Sequence, residues 1–259
     1  MLKRIIIYQK WGCPILSIFF LNQLIKGLIL FSVQYSCGLL VRRIGVKVNY
    51  TRKINHFVLF FVPLYVDRVF AYEETFSLFV LGAFFAILTL LIYIKPIRNR
   101  INVVRTMFLS FDRPEDRPYT LLWLVTQIAA GFLVAVPMIV LFYYYDLLQW
   151  MFIPILINGI GDGLAEPVGV RFGRHPYQTK ALFTRKKYIR TLEGSACVYL
   201  ASIAVLVYFH ALFTPGQLAA SLLILPLVMT LAEAFSPHTW DTPFLFLVGY
   251  LTLFMISFL

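Results

Sequence analysis

The chain has 259 residues, 60% of them hydrophobic and 17% aromatic, with only 14% charged and a mean hydropathy of +0.80. A soluble domain is roughly half apolar and about a quarter charged, so this composition excludes an ordinary water-soluble enzyme, a disordered chain and a disulfide-stapled one. A net charge of +11 would suggest nucleic acid in a soluble protein. Here Lys and Arg gathered in cytoplasmic loops explain it first, and phosphate-bearing substrates or anionic membrane lipids second, with no nucleic acid needed.

In chain order, apolar runs occupy 14–41, 54–71, 75–94, 119–145, 147–170, 195–213, 216–235 and 241–259. About twenty such residues cross ~30 Å of hydrocarbon as helix. The short alternating segments of a β-barrel are missing. The expectation is an all-α, polytopic integral membrane helical bundle, one domain over 1–259, with about eight transmembrane helices and a range of seven to nine. The first run sets that range. It follows Lys3, Arg4 and Lys10, has no small-residue cleavage site near its end and reads as a retained anchor. One crossing would nevertheless put those three cations outside. Lys26, which unpaired at mid-bilayer costs about 2.5–3.5 kcal/mol, suggests a tight hairpin or a tilted, interrupted helix.

Three basic segments separate the runs. The first, 42–53, holds Arg42, Arg43, Lys47, Arg52 and Lys53 without an acid. The second, 95–118, mixes Lys95, Arg98, Arg100, Arg105, Arg113 and Arg117 with Asp112, Glu115 and Asp116. The third, 171–190, carries Arg171, Arg174, Lys180, Arg185, Lys186, Lys187 and Arg190, again without an acid. The opposite connections, at Glu73 and Glu74, Asp146 and 210–216, are short and neutral or acidic. With all three basic segments in the cytoplasm, every intervening span crosses in a consistent sense. The unusual ionisable residues then share one side: Arg52, Lys53, His56, Asp162, Glu166, Glu193, Glu233 and Asp241. The cysteines Cys13, Cys37 and Cys197 have no metal-type spacing and read as small apolar residues.

The segment 158–174 is the richest in chemistry. Asp162 and Glu166 are four apart, on one helix face about a turn from each other. Hard carboxylate oxygens at a membrane edge suit Mg²⁺ shared with substrate phosphates. The following basic loop suits the phosphates themselves, with Arg171, Arg174, Lys180 and Arg190 as contacts and Arg52 and Lys53 as helpers from the first loop. Gly161, Ala165 and Gly169 form a small-residue stripe that admits another helix or a ligand at close range. There is no Walker loop and no strand-borne G-x-G-x-x-G.

The runs GDGLAEPVG (161–169), RFG (171–173) and RTLEGS (190–195) resemble the signature of the polyprenol kinase family, G-D-x-x-A-[SD]-x-x-G…G…K-[ST]-x-E-G-S. That family includes dolichol and phytol kinases. RKINH (52–56) is similar to its R-K-x-x-H, and Asp241-Thr242-Pro243 to its D-N-x-x-P. The pieces occur in the family's order over most of the chain. Departures are Glu166 in place of Ser or Asp, Arg190 in place of Lys, and the missing Asn after Asp241. The wider superfamily holds phosphatidate cytidylyltransferases, whose pattern matches less well.

The resemblance implies CTP as phosphoryl donor. The expected activity is CTP- and Mg²⁺-dependent phosphorylation of a long-chain lipid alcohol at the cytoplasmic membrane face. Asp162 and Glu166 are the expected metal ligands, and Asp162, Glu193 and Asp241 the expected catalytic acids, the latter two as alternatives for accepting the hydroxyl proton. The rival enzyme reading is CTP:phosphatidate cytidylyltransferase, using the same cations and metal. A transporter is the reading from another class, against which stands the absence of a repeated pair of interrupted helices.

Overall fold

A computed structural model describes residues 15–72, 75–182 and 184–259; Lys3, Arg4, Lys10, Cys13, Glu73 and Glu74 lie outside the described residues. The first helix, α1 (Ile15–Leu39), is continuous and runs into a π-helical turn (Leu40–Ile44) that Gly45 ends at φ 73°. The hairpin or interruption expected at Lys26 does not occur. Its ammonium lies 2.6 Å from Asp67 Oδ1, which also accepts from Asn22 Nδ2 at 2.9 Å. An ion pair with the neighbouring helix α2 (Val48–Val69) thus removes the penalty that suggested a break.

Next come α3 (Phe76–Thr89), extended by a 3₁₀ turn (Leu90–Tyr93), and two short helices, α4 (Lys95–Arg100) and α5 (Asn102–Leu109). A loop at 110–118 leads to α6 (Thr120–Tyr144). The 147–170 run is a helix widened by a π-turn: α7 (Phe152–Ile157), a π-helical turn (Asn158–Asp162) and α8 (Gly163–Phe172). The third basic segment is not a plain loop. It pairs β1 (Pro176–Lys180) with β2 (Lys187–Thr191) in an antiparallel hairpin, Tyr177 opposite Arg190. Three helices complete the chain: α9 (Leu192–Tyr208), capped by Thr191; α10 (Pro215–Phe235), opened by a Thr214–Gln217 capping box; and α11 (Asp241–Ile256).

The all-α expectation holds apart from the hairpin. Among the described residues five segments are long and apolar enough to cross a membrane: Leu16–Ile44, Phe76–Tyr93, Thr120–Tyr144, Leu148–Phe172 and Pro215–Phe235. Helices α9 and α11 are apolar but have 17 and 16 residues, about 24–26 Å at 1.5 Å per residue. Helix α2 carries Arg52, Lys53, Asp67 and Arg68. These features separate five membrane-length helices from the eight expected spans. In an 18-residue stretch of Leu148–Phe172, 61% of the residues are buried, against 11% in each of the first three, so this segment forms the centre. Ile157, Val198, Leu206, Leu225, Met229 and Leu253 close the main core around it.

Candidate functional site

On the first two turns of α2, Asn49, Arg52, Lys53 and His56 follow the i, i+3, i+4, i+7 spacing of a single helix face. That face meets the π-turn and α8. Lys53 Nζ donates to both oxygens of Asp162 at 2.9 Å, and both residues are buried. Arg52 donates from Nε and Nη2 to Glu166 Oε2, at 3.1 and 2.8 Å. The other Glu166 oxygen accepts from Asn49 Nδ2 at 2.8 Å and Arg113 Nη1 at 2.7 Å. His56 lies 3.6 Å from Asp162 through Nδ1 and 3.3 Å from the Asn158 carbonyl through Nε2.

Two further segments reach the same place. From the 110–118 loop, Arg113 Nε donates to Asp116 Oδ2 at 2.7 Å. His238, in the turn between α10 and α11, puts Nε2 at 2.9 Å from Arg113 Nη2 and 3.1 Å from Asp116 Oδ1. A neutral ring satisfies one of these at a time: a bare Nε2 accepts from Arg113, a protonated one donates to Asp116. The imidazole stacks on Tyr188 of the hairpin, centroids 3.6 Å apart. Burial is the main cause that pushes His238 down to about 4, with Arg113 adding to it and the Asp116 hydrogen bond opposing it. Burial also works against the Asp116 carboxylate, but the His238 hydrogen bond and the Arg113 charge hold it below its usual range.

Arg190, at the end of β2, donates to the Glu233 carbonyl, to Glu233 Oε1 at 3.0 Å and to Ser236 Oγ at 3.2 Å. Its other terminal nitrogen is 3.6 Å from Asp241 Oδ2. Ser195 Oγ donates to Glu233 Oε2 at 2.7 Å. The Asp241 carboxylate, buried in the first turn of α11, has the loosest partners, Gln127 at 3.4 Å being the other. Asp162, Glu233 and Asp241 lie within Coulombic reach of one another. Asp116, Asp162, Glu166, Glu233 and Asp241 thus meet Arg52, Lys53, Arg113 and Arg190 in one buried cluster, five carboxylates to four permanent cations.

Of the residues expected at the site, Arg52, Lys53, Asp162, Glu166, Arg190 and Asp241 come together here. Arg171, Arg174 and Lys180 do not; they stand exposed at the end of α8 and on β1. Glu193 is also apart, held 2.7 Å from His175 on the outer surface. Sequence reasoning gave no role to Asn49, Arg113, Asp116 or His238, and Glu233 only a place on the shared side. Asn49 was discoverable as the fourth member of the α2 stripe. The loop residues had no periodic signal to mark them.

The small-residue stripe admits a helix. A Cβ on Gly161 would stand 2.8 Å from Val198 Cα, and one on Gly194 2.7 Å from the Ala165 carbonyl oxygen. Contact this close between α9 and the π-turn and α8 leaves no room for a ligand. The carboxylates also do not fit a resident metal ion: all four oxygens of Asp162 and Glu166 accept from cations or an amide. Among the described residues no group of three His, Cys, Asp or Glu side chains surrounds a common point. No family model, curated protein or solved structure matches this chain.

Proposed function

We propose that this is a membrane-embedded, CTP-dependent kinase of a long-chain lipid alcohol, built on about eight membrane-crossing helices with its basic segments and site on the cytoplasmic side. One observation carries the reading. Four of the five runs that resemble the polyprenol kinase family, far apart in sequence, each send a charged residue into one buried cluster: Lys53 with Asp162 across 109 positions, Arg52 with Glu166 across 114, Arg190 with Asp241, while Arg171 and Glu193 of the same runs stay outside it. A chance set of short matches has no reason to converge.

Phosphoryl transfer asks mainly for positioning and charge stabilisation. The buried ion pairs fix how α2, the Leu148–Phe172 segment, β2 and α11 meet, which serves the positioning such chemistry needs. Arg171, Arg174 and Lys180 are exposed and free of carboxylate partners among the described residues, so they can meet nucleotide phosphates where the hairpin joins the cluster. Asp241, the least tightly held carboxylate, is the better placed acceptor of the hydroxyl proton. Because Asp162 and Glu166 are fully engaged, Mg²⁺ enters as part of the nucleotide substrate, bound chiefly to its phosphates.

The test supplies CTP labelled at the α or γ position, with a panel of lipid alcohols or phosphatidate as acceptor. The expected result is γ-label in the lipid alcohol with CDP as the other product. Transfer of α-label to phosphatidate with release of pyrophosphate would assign the cytidylyltransferase reaction instead. No transfer with either acceptor, together with ion flux in vesicles, would return the chain to the transporter reading.

A further inference from the structure

The 110–118 loop has a second face that takes no part in the buried cluster. Where the helix ending at Tyr93 and the helix beginning at Thr120 reach the same end of the bundle, a groove of about 360 Å³ opens, lined by Lys95, Arg98, Phe108, Asp112, Arg117 and Leu121. The Arg98 guanidinium lies 3.9 Å above the Phe108 ring, which fixes it at the groove. Arg117 is 2.8 Å from Asp112, whose other oxygen accepts from Thr120 at 2.7 Å. Among the described residues neither Lys95 nor Arg98 has a carboxylate partner. Three cations against one carboxylate leave the groove with two uncompensated positive charges.

Topology alone would scatter cations along the loop. Here they converge on one concavity whose apolar lining is Phe108, Pro118 and Leu121, beside the ends of the membrane-length helices Phe76–Tyr93 and Thr120–Tyr144. Just inward along those helices, Leu91 and Leu122 are exposed. A ligand that matches both parts has a phosphate to sit between Lys95 and Arg98 and hydrocarbon chains to run down the exposed leucines. We infer that this groove binds the phosphate headgroup of an anionic phospholipid from the surrounding leaflet. The site is separate from the proposed nucleotide chemistry. It borders the loop that also delivers Arg113 and Asp116 to the buried cluster.

Native mass spectrometry of the full chain, released from detergent with dioleoylphosphatidylglycerol or dioleoylphosphatidylcholine and no nucleotide, tests this without reference to catalysis. The expected result is retained phosphatidylglycerol at least about tenfold over phosphatidylcholine. Lys95→Gln with Arg98→Gln should remove most of that preference. Removing the same charge nearby, Arg100→Gln with Arg105→Gln, should leave it in place. Lys95 is exposed, so the single variant Lys95→Gln, expected to lower retention by itself, guards against loss of folding. Equal retention of both lipids, or equal losses in the two double variants, would overturn the inference. So would full displacement of the lipid by soluble glycerol phosphate at the same concentration, which would make the ligand a free phosphate ester.

Discussion

Lys53 donates from one ammonium group to both carboxylate oxygens of Asp162, 2.9 Å each, with 3% of the lysine and 4% of the aspartate exposed. Neither charge has access to bulk water, so each depends on the other. Removing one partner of a buried pair leaves an uncompensated charge, a loss of about 3–5 kcal/mol, whereas replacing both is often close to neutral. Lys53→Met should therefore destabilise the protein strongly in detergent unfolding. Lys53→Met combined with Asp162→Asn should recover most of the loss. Additive effects in the double variant would show that the two side chains are not a pair.

The separate location of Glu193 divides the two acids considered for the hydroxyl proton. Glu193 is engaged with His175 at the surface, while Asp241 is buried beside Arg190. In the kinase assay, Asp162→Asn and Asp241→Asn should each lower turnover by at least ~10²-fold, the scale of losing a major electrostatic contributor. Glu193→Gln and Lys187→Ala should stay near the parent rate. A Glu193→Gln loss as large as that of Asp241→Asn would move the proton acceptor to the hairpin edge.

How much of this was legible in the sequence depended on range. Hydropathy marked every long helix because burial or lipid contact repeats along each of them. The i, i+4 spacing placed Asp162 and Glu166 on one face. What hydropathy could not register was pairing between helices. Lys26 looked like a break because its partner, Asp67, sits in another run. Asp162 and Glu166 looked like metal ligands because Lys53, Arg52 and Arg113 are all more than 50 positions away. The 176–191 hairpin was hidden for a related reason: its strands are rich in Lys, Arg and Thr, and only Tyr188 of β2 is buried.

His238 and Asp116 make the fold acid-sensitive. His238 is held down to about 4, against about 6.5 in an unfolded chain. Between those values the unfolded chain binds a proton that the folded one does not, so stability falls as pH falls, by about 3 kcal/mol in total. Asp116, held below its usual range, adds a further loss as pH drops through the ordinary carboxylate range. Melting in detergent should fall steeply from pH 6.5 to 4, and His238→Gln should flatten that part of the curve. An unchanged slope in His238→Gln would assign the acid sensitivity elsewhere.

Sidedness is accessible to thiol labelling. With Cys13, Cys37 and Cys197 replaced by alanine, single cysteines at the exposed positions Arg43, Glu115 and Leu182 sample the three basic segments. All three should react with a membrane-impermeant reagent from the cytoplasmic side. Ser110 is fully buried and would report on neither face. Labelling of one position from the opposite side would contradict the orientation proposed for all three segments.

The engagement of Asp162 and Glu166 also separates a resident metal ion from one that arrives with nucleotide. Asp162 gives both oxygens to Lys53, and Glu166 divides its two among Arg52, Arg113 and Asn49. A Mg²⁺ ion bound to the protein alone would have to displace a buried ammonium or guanidinium, stranding that charge away from water. Nucleotide phosphates supply both oxygen ligands for the ion and a counter-charge for the exposed Arg171, Arg174 and Lys180. Mg²⁺ without nucleotide should therefore leave the melting temperature unchanged, and Mg²⁺ with CTP should raise it with a saturable dependence on concentration. Arg171→Ala with Arg174→Ala should weaken the second effect without altering the melting temperature of the free protein, since neither side chain is tied into the buried cluster. Saturable stabilisation by Mg²⁺ alone, lost in Asp162→Asn, would instead establish a resident metal site and require the Lys53–Asp162 pair to open.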